Sequence, residues 1–389
     1  MVYHCEEATK VIKWMMMVCG VWPMKNPSIL YTLRTIITCT ISLGFFSVMI
    51  LQIIKVYNSY LNLSEVLYIT LNTTSYIIKL YAFIFQKSIY LETEKYIYDE
   101  IFNQEQKGRD EILKEMFGMI TNIAKFIRLS TCMCCSFFLL FPILENKALP
   151  IPFAYNLGDK TIYMYVFQIV GIIVFGWCNT SFDVCCSTFM AISAGQIDLL
   201  RRRLSTVFEE IGITHKNYME FDLERREVVQ KNIKVILKDC GKHHQAIIKF
   251  TEKINDLFSF SIFIKYFATA LVFCNSMFQI VIIVKPFTLQ FFQLIFYCCS
   301  VFVELALYSW LINTLIFKSS MLGEACYMSH WYNYNTSNKK SLFLMMEKAK
   351  RPIAVTASKF GYASLESLVG ILRWSYSIFT LLKTMYTEH

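Results

Sequence analysis

Five ionisable side chains fall inside or beside long apolar runs: Lys79, Asp183, Lys265, Glu304 and Arg373. At the centre of a bilayer each such charge costs about 2.5–3.5 kcal/mol on insertion scales, so these residues face a protein interior, a partner or water. Glu304 and Arg373 both come near the middle of their runs. We expect them to pair or to line a hydrated route. Nothing else has the spacing of catalytic chemistry. There is no G-x-S-x-G, no P-loop, no H-E-x-x-H and no pair of carboxylates at useful spacing in one segment. No catalytic residue is assigned and no enzyme is expected. His243-His244 stands alone in a basic stretch, and Cys132 and Cys135 match C-x-x-C without a second pair or a nearby His. No metal site and no cofactor follow from either. Most of the 14 cysteines lie in apolar runs, where the thiol behaves as a small hydrophobe.

The elements that position these groups are set by composition. The chain has 389 residues, 55% of them hydrophobic and 17% charged, against about 25% charged in soluble domains. Mean hydropathy is +0.42. Gly and Pro are scarce and the apolar runs are continuous, which favours helices over the alternating strands of a barrel. A spanning helix needs about 20 mostly apolar residues. Seven stretches qualify: 33–54, 65–86, 129–145, 162–193, 257–284, 288–316 and 363–386. The fold class expected is therefore an all-α membrane protein with seven transmembrane helices. The second stretch is interrupted by Asn72 and Lys79. The fourth and sixth are longer than a bilayer and are expected to tilt or run on into water. Trp14 to Val18 is too short to span and lacks a small-residue cleavage site, so it reads as a membrane-surface segment rather than a signal peptide.

Charge orients the bundle. Of 38 Lys and Arg residues, 29 fall in the N-terminal segment and the second, fourth and sixth connections, and five on the alternate side. The positive-inside rule then puts the N-terminus in the cytoplasm and the C-terminus outside. That is inverted relative to G-protein-coupled receptors, and the last stretch has no Asn-Pro-x-x-Tyr. The net charge of +9 is thus a signal of topology, and nucleic acid is not an expected partner. The inner connections are long. Leu199, Leu200, Leu204, Val207 and Phe208 share one helix face, as if spans continue below the membrane and pack together. The apolar cluster at 342–346 is too short to span and needs an apolar partner, in the same chain or a neighbouring subunit. The two halves lack the matching Gly/Pro-broken spans of a secondary transporter, so a membrane carrier is a distant alternative.

The tail carries ordered blocks: Lys340-Ser341-Leu342-Phe343-Leu344-Met345-Met346, Arg351-Pro352-Ile353, Thr356-Ala357-Ser358-Lys359-Phe360, and Ser375-Tyr376-Ser377-Ile378-Phe379-Thr380-Leu381-Leu382. Upstream are Gly20-Val21-Trp22-Pro23, Leu149-Pro150 with Pro152-Phe153-Ala154-Tyr155, and Gly323-Glu324-Ala325-Cys326-Tyr327 with Trp331-Tyr332. With the inverted layout, these blocks resemble the insect odorant receptor family. The sixth span departs from that family's Gly-Asn-Glu block, since Phe302-Val303-Glu304-Leu305 keeps only the acid. The related gustatory receptors, which end in a Thr-Tyr…Gln-Phe pattern, are the alternative. The inner loop is shorter than that of the family's coreceptor, so the chain looks like a tuning, ligand-selective subunit.

What the resemblance implies is an odorant-gated, non-selective cation channel in the plasma membrane of a sensory neuron dendrite. It would be a heterotetramer with the olfactory coreceptor, serving olfaction, with the lipid bilayer, a volatile odorant and permeating cations as its other partners. Residues 1–316 would form a six-span bundle with cytoplasmic helical extensions and the odorant pocket. Residues 317–389 would form a cytoplasmic anchor helix and a pore-lining seventh span. Leu381 and Met385 would sit on the pore face beside Thr384, and apolar rings of this kind gate by dewetting. Leu342, Leu344, Met345 and Met346 would form the subunit anchor. The odorant pocket would draw on Asn72, Thr73, Tyr76, Phe137, Phe138, Tyr165, Gln168 and Tyr297, aromatic and polar groups in the outer halves of four spans.

Overall fold

The computed structural model describes residues 5–104, 109–144, 149–153, 160–213, 218, 221–358 and 361–387. Among them there is no strand, only an isolated antiparallel bridge between Thr356 and Tyr362. Ten helices carry the argument. They are α1 (Cys5–Val18), α2 (Ile29–Val56), α3 (Tyr60–Phe85), α4 (Lys87–Tyr98) and α5 (Arg109–Leu144), then α6 (Thr161–Ser205), α7 (Leu223–Phe278), α8 (Leu289–Ser320), α9 (Thr336–Ala349) and α10 (Leu365–Thr387). Ala154, Tyr155, Lys359 and Phe360 of the sequence blocks, and Glu145 at the end of the 129–145 stretch, lie outside the described residues.

Among the described residues, five helices are long and apolar enough to cross a membrane: α2, α5, α6, α7 with its π-helical extension to Ile283, and α8 with the residues up to Tyr327. The stretches 65–86 and 363–386 also fold as helices, α3 and α10, but are not among those five. Both are diluted by charge: Glu65 and Lys79 in α3, and Glu366, Arg373 and Lys383 in α10. At 1.5 Å per residue, α6 is about 68 Å long and α7 about 84 Å, far more than the roughly 30 Å hydrocarbon core. The apolar half of each therefore continues as a polar half that packs against its neighbours.

Local chemistry sets the helix ends. Ser28 accepts from the Tyr31 amide at the start of α2, Thr288 from the Phe291 amide of α8, and Asn335 from the Asn338 amide of α9. A side-chain oxygen at that position satisfies an amide with no partner in the first turn. The turn into α2 requires glycine at position 20. Its φ is +71°, and a Cβ there would lie 2.8 Å from the Thr35 nitrogen. The segment is then pinned by Thr38 Oγ1 donating to Cys19 O (2.8 Å) and Tyr31 OH donating to Trp22 O (2.9 Å), while Trp22 packs edge-on against Tyr90. Helix α1 lies against α6 and buries Ile12, Met15 and Met16, with Trp177 Nε1 donating to Met15 O (2.9 Å).

The buried apolar side chains form two main clusters. The larger is aromatic and runs through the extended halves of α6 and α7, with Phe83, Tyr90, Phe182, Phe189, Phe250 and Phe258 in mutual ring contact. The smaller gathers Phe45, Met49, Tyr68, Ile69, Phe138, Ile172, Tyr297 and Val301 from α2, α3, α5, α6 and α8. A layer of polar and charged side chains bridges α3, α6, α7 and α8 next to both clusters, and it positions the candidate site.

Candidate functional site

Lys79 on α3 makes a short ion pair with Asp183 on α6 and donates to Asn179 Oδ1 (3.0 Å). Asp183 also accepts from Tyr308 OH on α8 (2.5 Å) and from Asn179 Nδ2 (3.2 Å). The Asn179 amide reaches the second acid, donating to Glu304 Oε1 (3.3 Å). Glu304 on α8 pairs with Lys265 on α7 (2.5 Å), and Lys265 lies 3.5 Å from Asn72 Oδ1. Asn72 Nδ2 then donates to Tyr297 OH (3.1 Å). Lys79, Asp183 and Lys265 are buried, and Glu304 keeps 12% of its side-chain surface exposed. Two cations face two anions, so the layer is neutral as a whole, the condition under which buried charges are tolerated.

The expected partnership of Glu304 with Arg373 is corrected here. Glu304 takes Lys265, because α8 meets α7 along this face. Helix α10 turns Ser375 and Phe379 toward α7 instead, with Ser375 Oγ donating to Ala270 O (3.0 Å). Arg373 is exposed.

Above this layer lies a cavity of about 90 Å³ between α3, α5, α6 and α8. Its apolar wall includes Ile127, Phe138, Ile172, Phe175 and Val301, and its polar side Asn72, Ser130, Thr131, Asn179, Thr180, Tyr297, Ser300 and Glu304. Gly176 brings α5 and α6 together at its edge, where a Cβ would meet Cys135 Sγ at 3.0 Å and Thr131 Cγ2 at 3.2 Å. A groove of about 610 Å³ also runs between α5 and α6 past Trp14, Leu129 and Ile173. It lies on the outer face, where Leu129 is 62% exposed.

Of the eight pocket residues expected from the sequence, Asn72, Phe138 and Tyr297 line this cavity. The other five do not. Thr73 donates to Ile69 O of its own helix (2.8 Å), and Tyr76 bonds Ser42 Oγ (2.8 Å) and packs on Phe175. Phe137 is half-buried against Phe296, and Tyr165 is half-buried on α6. Gln168 clips the segment before α6, exchanging two bonds of 3.1 Å with the Ile151 backbone. Residues that sequence reasoning did not assign to the pocket are Asn179, Thr180, Ser300 and Glu304. An acid in an apolar run flagged Glu304, but small polar residues on helix faces give no hydropathy signal.

The remaining assigned residues lie far from the cavity in the chain. On α9, Leu342 and Met345 are buried, Met346 is half-buried and Leu344 is 60% exposed. On α10, Leu381 and Met385 are 61% and 55% exposed, and Thr384 Oγ1 donates to Thr380 O (3.0 Å). These two helices leave apolar faces that this single chain does not cover.

A multi-pass helical membrane protein with a small internal cavity, apolar on one side and ionic at its base, has the form of a receptor for small molecules. A family model described as 7tm Odorant receptor matches residues 59–376. The chain belongs to the insect odorant receptor family. It is 27% identical over 207 residues to odorant receptor 10 of Aedes albopictus, covering 53% of this chain and 50% of that one. Odorant receptor 67c of Drosophila melanogaster is 26% identical over 182 residues, covering 45% and 43%. The matches thus span about half the length of these relatives. The fold is similar to that of the insect olfactory receptor OR5 from Machilis hrabei, solved in complex with eugenol. The TM-score is 0.84 at 14% identity, over 98% of both chains.

Proposed function

We propose that the chain is the ligand-selective subunit of an odorant-gated, non-selective cation channel. A volatile small molecule binds in the cavity between α3, α5, α6 and α8, and the seventh span, α10, lines the pore. The observation that carries this reading is the cavity beside the buried ionic layer in a chain of the odorant receptor family. Seven spans with the N-terminus in the cytoplasm accommodate the charge distribution of the loops. The exposed apolar faces of α9 and α10 suit a subunit that completes its packing in a heterotetramer with the coreceptor. A ligand held against Glu304 and Asn179 touches groups from which hydrogen bonds reach α3, α6 and α7. It therefore gates the channel to the extent that it binds the open arrangement of those helices more tightly than the closed one.

The test is whole-cell current in cells expressing this chain with and without an insect olfactory coreceptor, across a volatile panel that includes eugenol. Inward cation current in the pair alone is the expected result. Current from this chain by itself overturns the coreceptor dependence, and saturable uptake without conductance overturns the channel reading.

A further inference from the structure

We infer that the cavity selects small alcohols: a short apolar chain lies against Ile172 and Val301, and its hydroxyl bridges Ser300 and Glu304. This inference rests on the reading of that cavity as the ligand site and names the ligand class.

The argument begins with which polar groups on the wall are already committed. Thr131 and Thr180 bond each other at 2.7 Å, and Thr131 also donates to Ile127 O (3.0 Å). Tyr297 OH donates to Tyr68 O (3.4 Å). The Asn179 amide hydrogens go to Asp183 and Glu304. Two groups have capacity to spare. Glu304 Oε1 accepts one long bond, at 3.3 Å from Asn179, and a carboxylate oxygen has room for more than one. Ser300 accepts from Ser130 (2.8 Å) and from the Cys134 thiol (3.1 Å), and no acceptor is recorded for its own hydrogen among the described residues. The cavity therefore offers one strong acceptor and one donor.

Their spacing is set by the helix. Residues four apart on one face have Cβ atoms about 5–6 Å apart, so an oxygen at about 2.8 Å from each side chain fits between Ser300 and Glu304. A hydroxyl accepts from Ser300 and donates to Glu304 at once. An aldehyde or ketone of the same length accepts from Ser300 but leaves Glu304 facing a carbonyl oxygen. A carboxylate brings a second negative charge to Glu304. Size sets the other limit. The cavity of about 90 Å³ exceeds the roughly 10–15 Å³ that one water needs and falls below the roughly 150 Å³ of a cavity that takes benzene. One water is a single heavy atom and benzene is six, so a molecule of about four heavy atoms is the match on that scale.

The test measures binding to the solubilised chain by ligand-induced thermal shift, so that it does not depend on channel opening. The probes are 1-propanol, propanal and acetate, each of four heavy atoms. The expected result is half-saturation at a concentration about tenfold or more lower for the alcohol than for the aldehyde, which is about 1.4 kcal/mol, and no binding of the acid. Glu304→Gln supplies an N–H to the carbonyl and brings the two neutral probes close together. If Glu304→Gln does not fold, Ser300→Ala leaves the ion pairs intact, weakens propanal and preserves or widens the preference for the alcohol. Equal binding of propanal and 1-propanol by the parent chain overturns the inference, as does the absence of binding by any probe. So does an unchanged affinity of Ser300→Ala for propanal. Alcohol-selective binding in a chain that carries no current with the coreceptor supports the inference and sinks the channel reading instead.

Discussion

Asp183→Asn is the most informative single substitution in the ionic layer. The side chain keeps its shape, but two cations, Lys79 and Lys265, then face one anion, Glu304. Asp183 is fully buried and accepts from Lys79, Tyr308 and Asn179, so water cannot take over those bonds. Removing one partner of a buried pair costs about 3–5 kcal/mol, because the other charge is left uncompensated. At about 2 °C per kcal/mol, the low end that suits a large chain, the apparent Tm of the solubilised protein falls by roughly 6–10 °C. Lys79→Met alone has a similar effect. The double change Lys79→Met/Asp183→Leu removes both charges together and recovers most of the loss, giving a coupling of about 2 kcal/mol or more. Lys318→Met is the control. Its pair with Asp198 is partly exposed on both sides, so its loss costs about 0–1 kcal/mol. A Tm for Asp183→Asn within about 2 °C of the parent, or single effects that simply add in the double variant, would refute the reasoning.

Three further outcomes are expected. His243 and His244 are buried in the polar half of α7, and burial pushes their pKa values down to about 3 and about 4. An unfolded imidazole gains its proton near pH 6.5. Stability is therefore full above that pH and falls as pH drops toward 4, by about 1.4 kcal/mol per unit for each group. Thermal unfolding at neutral and at acid pH checks the sign, and His244→Gln flattens the slope. On α9, Leu342→Ala costs about 2–5 kcal/mol of chain stability because its side chain is buried. Leu344→Asn stays within about 0.5 kcal/mol and instead weakens co-purification with the coreceptor. On α10, polar replacement of exposed Leu381 or Met385 leaves the Tm of the single chain unchanged and, on the proposed pore role of α10, raises the leak current measured with the coreceptor, because a wetted ring would no longer close by dewetting.

Much of this fold is legible in the sequence because apolar run length is a one-dimensional property. The runs over α2, α5, α6, α7 and α8 are long and predominantly apolar, and hydropathy finds them. Helix α3 is blurred by Lys79, which works in the ionic layer, and α10 by Glu366, Arg373 and Lys383, which are exposed. Partnership is a three-dimensional property, and there sequence reasoning stops. Glu304 and Arg373 both sit near mid-run, but the choice of Lys265 depends on which helix lies beside α8. The pocket shows the same limit. Thr73 and Gln168 are polar groups in apolar runs, as Asn72 is, yet Thr73 bonds its own helix and Gln168 holds a loop. Only packing tells these uses apart. Gly176, Thr180 and Ser300, which shape the cavity, are too small to stand out.

The most direct measurement is the concentration–response of odorant-evoked cation current in cells expressing the coreceptor with the parent chain, Val301→Phe or Tyr165→Phe. Val301 lines the cavity and Tyr165 does not. The expected result for Val301→Phe at unchanged surface expression is a shift of about tenfold or more, equivalent to about 1.4 kcal/mol, or loss of response. Tyr165→Phe should stay within about twofold, the scale of substitutions away from a packed site. A parent-like response from Val301→Phe would contradict the placement of the ligand between α3, α5, α6 and α8.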